Sequence, residues 1–403
     1  MNTNKLSIKD KLYKTLSNIM GYNVEQQTVN KTPSTRKKTV KKVETMPETQ
    51  EREVNHMDFR PKNFDQIVGQ EEVKENLKLK IAAFKKTNKS VVHMLFLGFS
   101  GVGKTTMANA VANEMGVNFH QVMATRIKSW ADFYNILKDI EENDIIFIDE
   151  IHALDRKIQE QLYGVMEDFT CTIEDKNLNR VRLVKINRFT MIGATTHTGK
   201  LNDALINRFQ YKCQLLPYTH LELSKMVQTA GERIYNVDIP EEIALRLAQL
   251  SRKTARVAYN LLRTFMDTAE ASTPGRVRSD MLTKDLMYKT LKLEQIDPIV
   301  GLDYASRKYL ITLLREEKAL GSRSIASMIN EQESTVLNTI EPFLLSDIKL
   351  EFQKQGQIVE SVKPFIKITP KGRISTESAY HYIKLCQNLQ AQGWFPNESL
   401  TIK

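Results

Sequence analysis

The chain has 403 residues, 41% of them hydrophobic and 26% charged, enough for two to four domains at about 100–200 residues each, with cores that need no disulfide or metal staple. No apolar run approaches the roughly 18 residues of a membrane-spanning helix, so an integral membrane protein is excluded and no membrane partner is expected. The formal charge is +10, which suits a polyanionic partner, but residues 1–56 hold eleven Lys/Arg against six Asp/Glu, so half of that excess lies in one segment.

Residues 1–56 differ from the rest in composition. Leu6, Ile8, Leu12, Leu16, Ile19 and Met20 recur at near-helical spacing up to Gly21. A Thr/Lys/Glu-rich stretch follows that cannot bury a core and reads as a disordered extension. A solvated tail and a docking or nucleic-acid arm both fit it. From residue 57 helical and strand patterns alternate: helix 70–86, strand 91–98, helix 104–116, strand 119–124, helix 130–142, strand 144–149, helix 156–167 and strand 189–195. That alternation predicts an α/β fold with a parallel sheet covered on both faces. Residues 219–293 read as all-helical, and a linker with Pro298 and Gly301 leads to a third unit, helix-rich first and strand-like later. The expected division is an extension 1–56, a large domain 57–216, a helical domain 217–299, a third domain 300–386 and a tail 387–403. Cys171, Cys213 and Cys386 are too scattered for a CxxC pair and fit a reducing compartment, the cytoplasm.

The segment Gly98-Phe-Ser-Gly-Val-Gly-Lys-Thr105 satisfies GxxxxGK[ST], between an apolar strand and an amphipathic helix. Gly98, Gly101 and Gly103 permit close backbone approach, and the following helix N-terminus cradles phosphate. Lys104 would reach the β- and γ-phosphates of ATP and Thr105 would ligate Mg²⁺. The strand Ile145–Ile148 ends in Asp149-Glu150. Asp149 would hold the metal and Glu150 would deprotonate the attacking water. Thr195, at the end of another strand, offers a hydroxyl to the γ-phosphate or to water. Arg208 and Arg256 are candidates for stabilising the developing charge; each is also compatible with an ordinary surface charge.

The order of these motifs resembles an AAA+ ATPase. More specifically, Arg60-Pro-Lys, Ile67-Val-Gly-Gln70, Ala112-Asn-Glu-Met-Gly-Val117, Phe147-Ile-Asp-Glu-Ile-His152, Met166-Glu-Asp-Phe169, Phe189–Thr196, Asn207-Arg-Phe209, Ala255–Leu262, Gly301-Leu-Asp303, Glu341-Pro-Phe-Leu344 and Thr369-Pro-Lys-Gly-Arg373 are similar to segments of the RuvB family, motors of Holliday-junction branch migration. The resemblance runs from about Phe59 to Tyr382. It implies an AAA+ P-loop domain, a helical lid and a C-terminal winged-helix domain. It also implies nucleotide contacts by Phe59, Arg60, Ile67, Val68, Gly101, Lys104, Thr105, Thr106, Glu167, Asp168, Phe169 and Tyr218. Arg256 would be a lid arginine sensing the γ-phosphate. Arg208 would be a finger acting on ATP in the neighbouring subunit of a hexameric ring.

Residues 171–188 have no place in a minimal ATPase core. The resemblance implies a protruding hairpin that binds RuvA, the junction-recognising partner; a core hairpin is the plain alternative. Segments 322–329 and 334–345 read as two helices with Ile325, Met328, Ile329, Val336, Ile340 and Phe343 as their core stripe. Lys367, Lys371 and Arg373 on the wing would hold duplex DNA through phosphates, without reading sequence. The chain departs from the family at Phe99-Ser100, where two prolines are usual, at Ile368, where a DNA-contacting Arg is usual, and in about a dozen extra residues near 347–361. The leading expectation is an ATP-driven DNA translocase for Holliday junctions. A clamp loader-like scaffold, or a winged-helix regulator reading specific sequence, are the competing expectations.

Overall fold

The computed structural model describes residues 60–87, 92–175, 180–316, 318–354 and 357–402. The extension 1–56 and Phe59 lie outside them. Strands β1 (Met94–Leu97), β2 (Phe119–Met123), β3 (Ile145–Asp149), β6 (Thr190–Thr195) and β7 (Tyr211–Gln214) form one parallel sheet in the order β2-β3-β6-β1-β7. Both faces are covered, so the central strands β1, β3 and β6 are buried nearly throughout, whereas the edge strands β2 and β7 carry exposed polar residues. Along β3, Ile145 and Phe147 enter one core, with α1 (Glu71–Thr87) and α2 (Lys104–Met115), while Ile146 and Ile148 enter the other. That second core holds α3 (Trp130–Leu137), α4 (Arg156–Glu167) and α5 (Asp203–Arg208). The expected helix 130–142 stops at Leu137, and the edge strand β7 is additional to the expected set. Strands β4 (Thr170–Asp175) and β5 (Arg180–Lys185) pair only with each other, outside the main sheet.

Helices α6 (His220–Ala230), α7 (Glu241–Gln249), α8 (Ala255–Ser272) and α9 (Lys284–Leu293) make the lid. The next unit runs α10 (Tyr304–Glu316), α11 (Ser322–Ile329), then α12 (Glu333–Thr335), a π-helical segment (Val336–Ile340) and α13 (Glu341–Leu344). Hairpins β8 (Ile348–Lys354)–β9 (Gln357–Lys363) and β10 (Ile366–Thr369)–β11 (Gly372–Ser375) follow, then α14 (Glu377–Ala391). A short bridge between Leu320 and Arg373 ties the second hairpin to the helices, giving a winged helix.

Several expectations are corrected here. The second helix of the pair is not one regular α-helix but passes through a π turn. Met328 is 48% exposed and leaves the expected stripe, whereas Ile325, Ile329, Val336 and Ile340 are buried. The extra residues near 347–361 form the β8–β9 hairpin. Residues 387–402 do not form a separate tail: α14 continues through 386, and Trp394, Phe395 and Leu400 are buried in the same core as the lid and the winged helix. The 296–303 linker is pinned as well. The fully buried Asp297 carboxylate accepts from the backbone N–H groups of Ile299, Val300 and Leu302 and from the Tyr382 hydroxyl. Gly301 has φ of 79°, and a Cβ there would stand 2.0 Å from the Leu250 carbonyl oxygen, so only glycine fits this join. No described helix is long and apolar enough to cross a membrane.

Candidate active site

The sheet order brings three strand ends together. β6 lies between β1 and β3, with Leu97 opposite Thr195 and Ile148 opposite Gly193. The loop after β1 turns through positive φ at Gly98, Gly101 and Gly103, and α2 starts without a side-chain cap, leaving its first N–H groups for an anion. A Cβ on Gly101 would lie 3.2 Å from Cβ of Arg256 and 3.3 Å from that of Thr254, so the lid helix α8 packs directly on this loop.

Lys104 is buried, and its Nζ donates to the carbonyls of Gly98 at 2.8 Å and Phe99 at 3.0 Å. Burial lowers its pKa, and the Glu150 and Asp149 carboxylates oppose that shift. Burial raises the Asp149 pKa, the Glu150 charge adds to it, and Lys104 counters it. Glu150 sits at φ 51°, a left-handed conformation that ends β3, and its N–H donates to Asp149 Oδ1 at 3.0 Å. Glu150 Oε2 lies 3.2 Å from His152 Nδ1 and 3.3 Å from Thr196 Oγ1.

A cleft of about 360 Å³ joins Arg60, Gly101, Gly103, Lys104, Thr105, Thr106, Asp149, Glu150 and Arg256. Arg256 Nη1 donates to Ser100 Oγ at 2.9 Å, linking lid to loop. Tyr259, Asn260 and Arg263 also line the cleft and were not anticipated. Their signal is spacing: 256, 259, 260 and 263 fall on one face of a helix.

Other expected residues stand elsewhere. Thr195 is buried with its hydroxyl 2.8 Å from His152 Nδ1 and accepting from His197 N–H at 2.9 Å, so the hydroxyl that meets Glu150 belongs to Thr196. Ile67 is buried in the core beneath α2, and Val68 packs against the lid core. Tyr218 lies behind the phosphate loop and donates to the Val102 carbonyl at 3.0 Å, holding the loop rather than lining the cleft. Glu167, Asp168 and Phe169, at the end of α4, do not line the cleft of their own phosphate loop. Glu167 instead pairs with Arg208 at 3.2 Å, and the Arg208 guanidinium lies 4.4 Å from the Tyr163 ring centroid.

Residues 59–215 match the Holliday junction DNA helicase RuvB P-loop domain, and residues 299–359 match the RuvB C-terminal winged helix domain. The chain belongs to the RuvB family. It is 38% identical over 323 residues to a Holliday junction branch migration complex subunit RuvB of Campylobacter fetus, covering 79% of this chain and 92% of that protein. To the corresponding subunit of Campylobacter jejuni strain RM1221 it is 36% identical over 330 residues, 81% of this chain and 92% of that one. Among solved structures, the Thermotoga maritima RuvB Holliday junction branch migration motor aligns with a TM-score of 0.68 at 32% identity, over 81% of this chain and 98% of that chain. The fold is thus the RuvB P-loop domain followed by a helical region and a winged helix, and the chain is an ATP-driven motor enzyme of that family.

The β4–β5 hairpin exposes Leu183 at 72%, and Trp130 Nε1 anchors its base by donating to the Thr172 carbonyl at 2.8 Å. On the wing, Lys367 and Lys371 are exposed. Arg373 is paired within the chain, donating to both carboxylate oxygens of buried Glu341 at 2.9 and 3.1 Å.

Proposed function

We propose that the chain hydrolyses ATP in the Lys104–Glu150 cleft and uses the energy to move four-way DNA junctions in recombination and repair, as one subunit of a hexameric ring. The observation that carries this reading is the convergence of a phosphate-binding loop, an acidic pair and a lid arginine in one cleft. Lys104 leaves the loop carbonyls for the β- and γ-phosphates, while the α2 N-terminus and the loop amides hold the remaining charge. Glu150 takes the proton of the attacking water as the new bond to the γ-phosphorus forms and the bond to the bridging oxygen breaks. Arg256 binds the γ-phosphate from the lid, so loss of that phosphate changes the lid's tie to the loop.

Thr105 and Asp149 line one cleft, and a hydroxyl with a carboxylate beside phosphates is the oxygen donor set that suits Mg²⁺. Bound there, Mg²⁺ supplies positive charge against the phosphates. Arg208, away from its own cleft, acts on ATP of the next subunit, where Glu167, Asp168 and Phe169 border the shared site. The wing lysines Lys367 and Lys371 grip duplex phosphates, and the β4–β5 hairpin docks a RuvA-like partner through apolar residues such as Leu183. The relatives are bacterial, and the bacterial cytoplasm, where the DNA lies, is the expected compartment.

The test is ATP turnover and movement of a synthetic four-way junction, with and without a RuvA-like protein. Glu150→Gln should bind ATP with near wild-type affinity and lose about a thousandfold in kcat, in the range for removing a general base from a coupled site. Wild-type turnover by this variant would overturn the assignment of Glu150.

A further inference from the structure

A chain of polar contacts joins Glu150 to the winged-helix domain. Its Oε2 meets the Thr196 hydroxyl at 3.3 Å. The adjacent His197 Nε2 lies 2.5 Å from Asn338 Oδ1, on the π-helical segment of the winged helix. Asn338 Oδ1 is 3.5 Å from the Thr196 hydroxyl, the weaker acceptor beside a charged carboxylate. The Thr196 proton therefore goes to Glu150, and the winged helix acts through His197. His152 completes the cluster, with Nδ1 near both Glu150 and Thr195 and its ring edge-on to His197 at 5.3 Å.

The packing around this chain of contacts decides what it does. Lid and winged helix share one continuous apolar core, from Tyr218 to Leu400, while the two cores of the large domain end at Leu215 and Phe209. The lid and winged helix therefore resist separation from each other. Their tie to the end of β6 is a few hydrogen bonds beside a cavity of about 90 Å³ lined by Phe99, Arg256, Asn338, Pro342 and Phe343 among others. A shift of the lid and winged helix as one body breaks those hydrogen bonds while sliding the lid on the phosphate loop, where Val68 and the Arg256–Ser100 bond touch it.

We propose that His197 and Asn338 form a clasp by which the winged helix holds Thr196 on Glu150 and restrains the carboxylate from accepting a proton from water. Duplex DNA that displaces the winged helix opens the clasp, frees Glu150 and raises turnover. Asn338 and His197 are positioning residues, and the inference rests on Glu150 as the general base.

The experiment measures kcat and KM for ATP on the full chain, with and without long linear duplex DNA. Asn338→Ala and His197→Ala should each raise the DNA-free kcat about fivefold, the worth of one hydrogen bond, and leave KM within about twofold. DNA should then add little. Asn338→Asp, which keeps an acceptor for His197, should restore DNA-dependent stimulation, an outcome that a general packing defect would not give. Wild-type stimulation by DNA in Asn338→Ala, or a fall in its DNA-free kcat, overturns the clasp. Glu150→Gln is run alongside: if it turns over at the wild-type rate, the base assignment has failed and takes the clasp with it, whatever the Asn338 ratio.

Discussion

His93, just before β1, carries a prediction of its own. It is 4% exposed, its Nδ1 accepts the Met191 N–H at 2.8 Å, and its Nε2 faces the Met166 carbonyl at 2.9 Å. Only the neutral tautomer with hydrogen on Nε2 satisfies both partners. Burial accordingly pushes its pKa below the ordinary 6.5. The unfolded chain thus binds a proton that the folded chain refuses as pH falls below about 6.5, so this residue's contribution to stability is constant above that pH and declines below it. Denaturant unfolding at a series of pH values between 7.5 and 5.5 should show stability falling towards acid. The fall should be shallower in His93→Gln by up to about 1.4 kcal/mol per pH unit. Equal slopes would show that His93 titrates freely in the fold. The contrast with Lys104, Asp149 and Glu150 is instructive. Those three were legible because their glycines and apolar strands announce a phosphate loop and an acidic strand end. His93 carries no local pattern, since its ring partners Met166 and Met191 lie 73 and 98 residues away along the chain, and the contact of the His197 ring with Asn338, 141 residues away, is equally unannounced.

The wing shows where pattern reading reaches its limit for whole elements. The alternating helices and strands of the large domain were readable because a two-sided sheet demands apolar strands and helical stripes between them. The π turn at Val336–Ile340, the β8–β9 hairpin and the packing of residues 394–400 were not, because each depends on what the segment meets in space. Arg373 is the sharpest case. Its motif suggests a basic wing, yet it forms a bidentate pair with Glu341, which also accepts from the Tyr309 hydroxyl at 2.9 Å. The pair fixes the wing to the helices. Arg373→Ala would strand a buried carboxylate and should cost about 3 kcal/mol of stability. Lys371→Ala should leave stability within about 0.5 kcal/mol and lower the salt dependence of duplex binding by about one counterion. Chemical unfolding and DNA titrations at several salt concentrations separate the two. An Arg373→Ala variant of wild-type stability and lost DNA affinity would return this residue to the DNA-contacting set.

Assembly is written into the position of Arg208. Within one chain its guanidinium is held by Glu167 and stacked on Tyr163, and it does not line the cleft that contains Lys104 and Glu150. A chain alone therefore lacks a mobile cation at the γ-phosphate apart from those of its own loop and lid. If a neighbour lends Arg208, two different lesions can be placed on different subunits. Arg208→Ala should keep ATP binding and lose turnover by about a thousandfold, the lower end for an arginine supplied in trans. Glu150→Gln should do likewise. In a mixture of the two, some interfaces pair an intact Glu150 with an intact Arg208 from the next chain, and these should recover a measurable fraction of wild-type ATPase that rises and falls with the mixing ratio. The Glu167–Arg208 pair must open for this to happen. Its strength is modest because Glu167 is more than half exposed. Mixtures that stay as inactive as either parent, while sedimenting as mixed rings, would place Arg208 in the service of its own chain.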